Sequence, residues 1–192
     1  MDEKAKIREA IRATLGRIEP AERGVASAQA AKRLTGQSIW SSARTILFYS
    51  PLEPELDLSP LMSEALSAGK RVALPAFERP IGVYTARLVQ NPTAGLQRGH
   101  FGILEPGPDC PEIPRKQLDL ILVPGVAFAL NGHRICRGGG YYDRLLAETP
   151  GVKCGIAFDE QIQDEIAAEP HDVVMDFVVT PTRWIVAPRR ST

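Results

Sequence analysis

Net charge is missing from this sequence, in which 23 Lys and Arg residues balance 23 Asp and Glu residues. A strongly basic surface is therefore not expected, and no nucleic-acid partner is predicted. Cysteine is scarce, because Cys110, Cys136 and Cys154 are the only three in 192 residues. An odd number at spacings that match no zinc motif favours a reduced, intracellular protein.

Long apolar runs are missing as well. No stretch approaches the roughly 20 apolar residues that a membrane-spanning helix needs. The N-terminal stretch MDEKAKIREA also lacks the apolar segment of a signal peptide. We therefore expect a cytoplasmic protein with no membrane partner. Zero net charge and the lack of a heptad repeat favour a monomer.

The length and apolar content favour one domain over residues 1–192. A chain of this length with 44% hydrophobic residues can bury a large core without disulfides or a structural metal. The last residues, 188–192, read PRRST, and we expect a frayed tail there.

Apolar residues recur at helical spacing in some segments and form short β-branched runs in others. Ile7, Ile11 and Leu15, for example, recur every four residues and predict an apolar helix face. Helices are predicted over about 2–15, 21–34, 59–68, 141–147 and 160–167, and strands over about 45–49, 71–75, 83–88, 118–128, 152–158 and 173–179. This alternation predicts an α/β fold with a mostly parallel sheet. The Pro- and Gly-rich residues 89–117 are expected to form a long irregular connection.

A glycine-rich segment, RICRGGGYYD at residues 134–143, carries the strongest functional signal. Three consecutive glycines are most useful where backbone must approach a ligand closely. A strand, a glycine loop and then a helix can aim free backbone N–H groups at an anion. Arg134 and Arg137 supply positive charge for phosphate oxygens, and Asp143 can hold a magnesium ion shared with them. The alternative is a flexible tight turn with a solvated arginine; no P-loop or dinucleotide-binding motif is present.

The sequence from Gly132 to Asp143, GHRICRGGGYYD, resembles the signature of the 5-formyltetrahydrofolate cyclo-ligase family, also called methenyltetrahydrofolate synthetases. Further similar segments occur in the family's order along nearly the whole chain. They are Lys4-x-x-Ile7-Arg8, FGILEP at 101–106, LVPGVAF at 122–128, GIAF at 155–158, Gln161, EPHD at 169–172 and VVT at 178–180.

The resemblance implies a fold and a reaction. The family fold is a three-layer α/β/α arrangement, similar to that of the sugar-phosphate isomerases and coenzyme A transferases. The family reaction closes the N5-formyl group of 5-formyltetrahydrofolate onto N10 and gives 5,10-methenyltetrahydrofolate. ATP and Mg²⁺ take part, a phosphorylated formyl intermediate forms, and ADP and phosphate are released.

The resemblance also implies a set of site residues. The expected ATP-binding residues are Lys4, Ala5, Lys6, Ile7, Arg8, Arg134, Ile135, Cys136, Arg137, Gly138, Gly139, Gly140, Tyr141 and Tyr142. The expected residues for 5-formyltetrahydrofolate are Ser50, Glu55, Gly139, Gly140 and Tyr141. Asp143 and Asp172 match the magnesium ligands, and Arg137 and Asp143 are the expected catalytic residues.

Two positions depart from the family pattern. Ile135-Cys136 replaces the usual Leu-Gly before the loop arginine, and Ala129 stands where an aspartate often follows Ala-Phe. Neither change removes a group that would bind phosphate or metal. For the aromatic platform of the pterin, Tyr84 and Phe101 are both candidates.

Simpler interpretations stay open for single residues. Lys4 and Arg8 can be solvated helix charges, Glu55 a surface carboxylate, and Asp172 the cap of a turn. One of the two adjacent loop tyrosines is expected to be core packing. For the whole chain, the alternatives are a non-catalytic module that senses a nucleotide or sugar phosphate, and an ATP-independent phosphosugar isomerase. Two carboxylates and a basic N-terminal helix favour the enzyme that uses a triphosphate.

Overall fold

The computed structural model describes residues 3–91, 94–99, 102–167, 169 and 172–188. Its helices are α1 (Glu3–Leu15), α2 (Pro20–Thr35), α3 (Ser38–Ser42), α4 (Ser59–Ser67) and α5 (Tyr141–Ala147). Its strands are β1 (Thr45–Leu47), β2 (Arg71–Glu78), β3 (Val83–Val89), β4 (Leu96–Arg98), β5 (Leu104–Pro106), β6 (Leu120–Val123), β7 (Ala127–Ala129), β8 (Arg134–Ile135), β9 (Val152–Ile156), β10 (Ile162–Gln163), β11 (Phe177–Val179) and β12 (Trp184–Val186). Within these ranges, no helix has both the length and the apolar character to cross a membrane.

A seven-stranded sheet forms the centre, in the order β12-β11-β9-β6-β1-β2-β3. The five inner strands are parallel, and the two edge strands, β12 and β3, are antiparallel to their neighbours. A three-stranded sheet, β10-β7-β8, and a hairpin, β4-β5, complete the strands. The predicted α/β fold with a mostly parallel sheet is therefore confirmed.

The central sheet is buried on both faces, which explains the continuous apolar runs of its inner strands. Neighbouring residues alternate between two cores: Ile46 and Leu120 face one, while Leu47 and Ile121 face the other. Helices α1, α2 and α4 pack on the first face, and α5 packs on the second. The result is three layers, in which each fully buried Leu, Ile or Phe side chain contributes about 1.5–3 kcal/mol.

Local sequence explains where the first two helices form. In α1, Ile11 and Leu15 are buried, as the four-residue spacing predicted. In α2, Pro20 occupies the first turn, where its missing N–H costs no hydrogen bond. Glu19 and Glu22 exchange backbone and side-chain hydrogen bonds in a capping box. These two helices and the helix predicted at 141–147 are confirmed within one residue, apart from Asp2, which lies outside the described residues.

The single strand predicted over 118–128 is wrong. The structure breaks this segment into β6 and β7, because Pro124 cannot donate to a ladder and the chain turns at Gly125. A Cβ atom at position 125 would lie 2.7 Å from the Phe128 ring, so only glycine permits this close turn. β7 is therefore not part of the central sheet and pairs with β8 and β10 in the three-stranded sheet.

The helix predicted over 160–167 is also wrong. A 3₁₀ turn covers Asp159–Gln161, and β10 follows it. The Gln161 side chain accepts from the Phe158 amide at 2.8 Å and donates to the carbonyls of Gly125 and Val126 at 2.8 and 2.9 Å. These long-range hydrogen bonds hold the segment against the turn after β6. The prediction of a helix failed because the spacing of apolar residues carries no information about such contacts.

Other predicted boundaries need smaller corrections. The predicted strand 173–179 is shorter, because only β11 pairs with the sheet. The connection over 89–117 contains β4, β5 and a 3₁₀ turn at Arg115–Gln117, so it is less irregular than expected. The short elements α3, β8 and β12 were not predicted. The expected tail, 188–192, lies outside the described residues except for position 188.

The strand order creates a place for ligands. β1 lies between β2 and β6, and the chain moves outward from β1 in both directions. In parallel sheets, ligands bind beyond the carboxyl ends of the strands at such a switch point. The segments that follow β1 and β6 therefore meet where a binding site is expected.

Glycines at two positions provide a test of this packing. In β9, a Cβ atom at Gly155 would lie 2.5 Å from the buried Phe128 ring, whereas one at Gly24 in α2 would have no atom within 4 Å. We expect Gly155→Ala to lower the free energy of unfolding by about 1–3 kcal/mol through overpacking. The control Gly24→Ala should raise it by about 0.5–1 kcal/mol, because alanine favours a helix. Urea unfolding measures both, and a Gly155→Ala variant as stable as the parent would contradict the packing.

Candidate active site

A cavity of about 540 Å³ opens beyond the carboxyl ends of β1 and β6. Its wall comes from the turn after β1, the Pro124-Gly125 turn after β6, the hairpin β4-β5 and the glycine loop. This volume falls within the range of small-molecule sites, about 300–1,000 Å³. The cavity therefore lies at the topological switch point of the sheet.

Many of the predicted site residues meet in this cavity. Ser50, Glu55, Arg134, Cys136, Arg137, Gly138, Gly139, Tyr141 and Tyr142 line it. Ile135 is buried in the core beside it, and Gly140 begins α5. The N-terminal residues lie on α1, where Ala5 and Ile7 are half-buried and Lys6 is exposed. Arg8 reaches the glycine loop, because its Nε atom donates to the Cys136 carbonyl at 3.0 Å.

The glycine loop has a backbone that only glycine tolerates well. Gly138, Gly139 and Gly140 have φ angles of 117°, 77° and 61°, all in the left-handed region that side chains disfavour. A Cβ atom at Gly139 would also lie 2.5 Å from the Tyr141 ring. The three glycines therefore determine the shape of the loop and the direction in which α5 starts.

A buried ion pair closes the two ends of this loop. Arg134 Nη2 donates to Asp143 Oδ1 at 2.8 Å, and the two side chains are only 2% and 11% exposed. The Arg134 guanidinium also contacts the Cys136 thiol and lies 6.0 Å from the centre of the Tyr142 ring. Arg134 is thus held by Asp143, whereas the sequence analysis assigned its positive charge to phosphate oxygens.

Cys136 sits between the charged groups of the loop. Its Sγ atom lies 3.5 Å from Asp143 Oδ2. Burial raises the pKa of the Cys136 thiol to about 11; Arg134 lowers it, while Asp143 and Asp172 raise it further. The thiol is therefore protonated near neutral pH and is a weak nucleophile there.

Lys4 ties α1 to the segment that carries Asp172. Its Nζ atom lies 2.7 Å from Glu169 Oε1 and 3.3 Å from Asp172 Oδ2. Burial lowers the pKa of Lys4, but the two carboxylates outweigh burial, and the net pKa is raised. Asp172 Oδ2 also accepts from the Glu169 amide at 2.8 Å, so Asp172 caps a turn as well as pairing with Lys4.

The donor set at Asp143 and Asp172 suits Mg²⁺. This ion prefers oxygen ligands and typically uses one or two protein carboxylates together with substrate phosphates. In the described part of the chain, Asp143 Oδ2 receives only the weak thiol donor of Cys136. Both carboxylates raise the pKa of that thiol electrostatically. No group of three or more His, Cys, Asp or Glu side chains gathers as a metal site among the described residues.

Glu55 and Arg137 form an ion pair across the mouth of the cavity. Arg137 donates from Nε and Nη2 to Glu55 Oε1, at 3.1 and 3.0 Å. The Leu52 amide donates to the other carboxylate oxygen at 2.9 Å. Burial raises the pKa of Glu55, while the Leu52 amide and Arg137 oppose that rise. Ser50, in the same turn, donates from Oγ to the Leu104 carbonyl and so joins this turn to β5.

Aromatic rings, including those of Tyr84 and Tyr141, also line the cavity. The Tyr84 ring centre lies 5.3 Å from that of Phe77 and 6.1 Å from that of Tyr141. Burial, helped by Glu105 and Tyr141, raises the pKa of Tyr84 to about 12. Burial raises the pKa of Tyr142 well above its ordinary value. Tyr141 and Tyr142 are both half-buried, and both pack against the second core while lining the cavity. Phe101, the other stacking candidate, lies outside the described residues.

Glu105 is a cavity residue that the sequence did not single out. It is 5% exposed, lines the cavity, and accepts from the Phe77 amide at 3.1 Å. Gly99 permits this placement, because a Cβ atom there would lie 2.2 Å from Glu105 Oε2. The FGILEP segment contained the signal, but a carboxylate in a Pro- and Gly-rich connection has no periodicity that reveals burial.

Known proteins resemble this chain over most of its length. The profile of the 5-formyltetrahydrofolate cyclo-ligase family matches residues 1–181. The 5-formyltetrahydrofolate cyclo-ligase of Mycolicibacterium smegmatis is 37% identical over 155 residues, which cover 77% of this chain and 79% of that protein. The Escherichia coli protein of the same name is 31% identical over 170 residues, which cover 86% and 93%. The NMR structure of Aquifex aeolicus 5,10-methenyltetrahydrofolate synthetase has a TM-score of 0.87 at 30% identity and covers 98% of this chain and 95% of that one.

The buried pair predicts a stability effect that is separate from any effect on catalysis. Asp143→Asn leaves the Arg134 charge buried without its carboxylate, and we expect the free energy of unfolding to fall by about 3 kcal/mol. The control Glu148→Gln removes the exposed partner of Arg115 and should cost less than about 1 kcal/mol. Urea unfolding without nucleotide or metal makes the comparison. Equal losses in both variants would contradict a structural role for Asp143.

The environment of Cys136 predicts slow alkylation. With a pKa of about 11, roughly one thiol in a thousand is ionised at pH 8, and the labelling rate should rise about tenfold per pH unit from 8 to 10. Peptide mass spectrometry after iodoacetamide treatment measures this rate, with circular dichroism as a check that the fold persists. Labelling of Cys136 at pH 8 as fast as that of a free thiol would show that Arg134 outweighs burial.

Proposed function

The chain belongs to the 5-formyltetrahydrofolate cyclo-ligase family and is a ligase, and we propose that it converts 5-formyltetrahydrofolate to 5,10-methenyltetrahydrofolate with ATP and Mg²⁺. One observation carries the proposal. Arg137 and Gly138, expected for the nucleotide, line the same cavity as Glu55, expected for the folate, and Arg137 contacts Glu55 there. Both substrates are small molecules, and the cavity volume suits the reacting parts of such ligands.

The amide-like formyl oxygen is a poor leaving group, and phosphorylation allows it to leave as phosphate. The formyl oxygen attacks the γ-phosphorus of ATP, the bond from that phosphorus to the bridging oxygen breaks, and ADP leaves. N10 then attacks the activated formyl carbon, which forms the new carbon–nitrogen bond and closes the ring, and the N10 proton passes to water. The carbon–oxygen bond then breaks and phosphate leaves, so that the former formyl carbon becomes the methenyl carbon of the product.

Phosphoryl transfer mainly requires alignment and charge neutralisation. Arg137 is the half-exposed cation of the cavity and binds the transferred phosphoryl group. The glycine loop presents its backbone to the phosphates without side chains in the way. Arg8 holds the loop from α1 through the Cys136 carbonyl, and Lys4 keeps Asp172 beside α1.

Mg²⁺ fits the same arrangement. Asp143 and Asp172 are the side chains that would hold the ion, and when bound it neutralises charge on the phosphate oxygens. Without the ion, Arg134 and Lys4 pair with these carboxylates and hold both side chains in place.

Glu55 and the aromatic wall serve the folate. A carboxylate that is largely buried can accept hydrogen bonds from the ring N–H groups of a pterin. Tyr84 and Tyr141 offer flat faces beside the cavity, and their packing against Phe77 limits their motion. Ser50 holds the turn that carries Glu55 against β5 through its hydrogen bond to the Leu104 carbonyl. The two alternatives, a non-catalytic sensor and a phosphosugar isomerase, have no comparable support, because relatives carry the ligase name across the chain's length.

The absorbance of 5,10-methenyltetrahydrofolate tests the reaction directly. Product should form only when 5-formyltetrahydrofolate, ATP and Mg²⁺ are all present. We expect Arg137→Gln to lower kcat/KM about a hundredfold, because one charge-neutralising contact in the transition state is lost. Arg137 is preferable to Asp143 for this test, since loss of Asp143 also affects folding.

A matched control separates the site from general charge effects. Arg71→Gln removes an arginine at the amino end of β2, away from the carboxyl ends of the strands where the cavity lies; Arg71 contacts Gln117 there. This variant should leave kcat/KM unchanged. ATP binding without any product from the parent protein would overturn the proposed reaction and favour the nucleotide-sensing alternative.

A further inference from the structure

The Glu55–Arg137 ion pair joins the two halves of the cavity. Glu55 follows β1 and belongs to the folate side, whereas Arg137 belongs to the glycine loop and the nucleotide side. They are 82 residues apart in the sequence. The Glu55 side chain is 11% exposed and that of Arg137 is 48% exposed. The pair therefore connects a nearly buried carboxylate to a cation at the cavity mouth.

In the ion pair, Arg137 and Glu55 use the same atoms with which they would bind a phosphate and a pterin ring. The Nε and Nη2 atoms of Arg137, both directed at Glu55, form the edge of the guanidinium that binds phosphate oxygens in pairs. On Glu55, Oε1 receives Arg137 and Oε2 receives the Leu52 amide. A phosphate on that edge of Arg137, or a ring N–H group on Oε1, must replace the ion pair.

Arg137 is free to make this exchange without disturbing the rest of the loop. The Cys136 carbonyl before it is held by Arg8 at 3.0 Å. After it comes Gly138, whose φ is 117° and which lies in open space, since a Cβ atom added there would meet no atom within 4 Å. The arginine side chain can therefore turn from Glu55 toward a phosphate while both ends of the loop stay fixed.

We propose that Glu55 has a second role as a positioning residue for Arg137, so that nucleotide and folate bind with positive coupling. The inference rests on the proposed function and adds regulation of the same site. Either substrate alone must break the ion pair, and the second substrate then finds its partner already released. The coupling is reciprocal, because each substrate raises the affinity of the other by the same factor.

The setting of the pair determines how large the coupling is. Exposed ion pairs contribute little, because water and salt screen them. Glu55 is mostly buried, and burial raises its pKa, so the carboxylate needs either Arg137 or a ligand donor as a partner. We therefore expect coupling of about fivefold or more, at the lower end of the usual range.

Titration calorimetry with a non-hydrolysable ATP analogue and Mg²⁺ tests the coupling. The dissociation constant of the analogue should fall about fivefold or more when 5-formyltetrahydrofolate is saturating. In Glu55→Gln, Arg137 is released from the start. The variant should therefore bind the analogue alone about as tightly as the parent binds it with folate, and added folate should have no further effect.

Glu105→Gln is the matched control. It removes the charge of another buried carboxylate that lines the same cavity and accepts from the Phe77 amide, whereas Arg137 donates to Glu55. If the analogue binds more tightly simply because the cavity loses negative charge, both variants should show it. The ion pair predicts tighter binding in Glu55→Gln alone, and thermal unfolding checks that both variants are folded.

The outcomes separate this inference from the proposed reaction. Equal dissociation constants with and without folate in the parent, or equal tightening in the two variants, would overturn the coupling. No binding of the analogue to the parent would overturn both the coupling and the proposed function. Coupling without any product in the absorbance assay would support the ion-pair role and overturn the reaction.

Discussion

The buried ion pair between Arg134 and Asp143 is the interaction on which the site depends. It joins the residue before the glycine loop to the first turn of α5, at 2.8 Å and with little exposure to water. Three glycines with left-handed φ angles lie between these ends, and flexible backbone of this kind has high conformational entropy unless it is anchored. With both ends anchored, the loop holds Arg137 beside Glu55 and forms one wall of the cavity.

Charge pairing extends through the whole site. Arg134 pairs with Asp143, Lys4 with Asp172, and Arg137 with Glu55. Because burying a lone charge is costly, such pairs allow charged side chains to lie in and around a largely apolar cavity. They also mean that a charged ligand is bound by exchange of partners rather than by addition to free groups. The most exposed of these side chains, Arg137, is the one best placed to exchange.

Sequence patterns predicted the parts of the fold that rest on local periodicity or on a local backbone requirement. The apolar stripe through Ile11 and Leu15 predicted α1, and the glycine run predicted both the loop and the start of α5. The patterns failed where distant groups decide the outcome. A continuous apolar run is split into two strands by Pro124 and by the turn at Gly125, which packs closely on the Phe128 ring. Gln161 uses its side-chain amide to hold that turn from 35 and 36 residues away. Glu105 is likewise buried because it lies in the β4-β5 hairpin, and no periodic pattern in the sequence predicts that hairpin.

The sequence by itself determined which residue types are available and where the backbone bends. It also determined family membership, because the order of motifs along a chain does not depend on how the chain folds. Only the tertiary structure decided which charges pair. Glu55 and Arg137 meet because the turn after β1 and the glycine loop after β8 line the same cavity, and Arg8 reaches a carbonyl 128 residues away. Ion pairs and burial depend on distance in space and on exclusion of water, and neither quantity is encoded in the local order of residues.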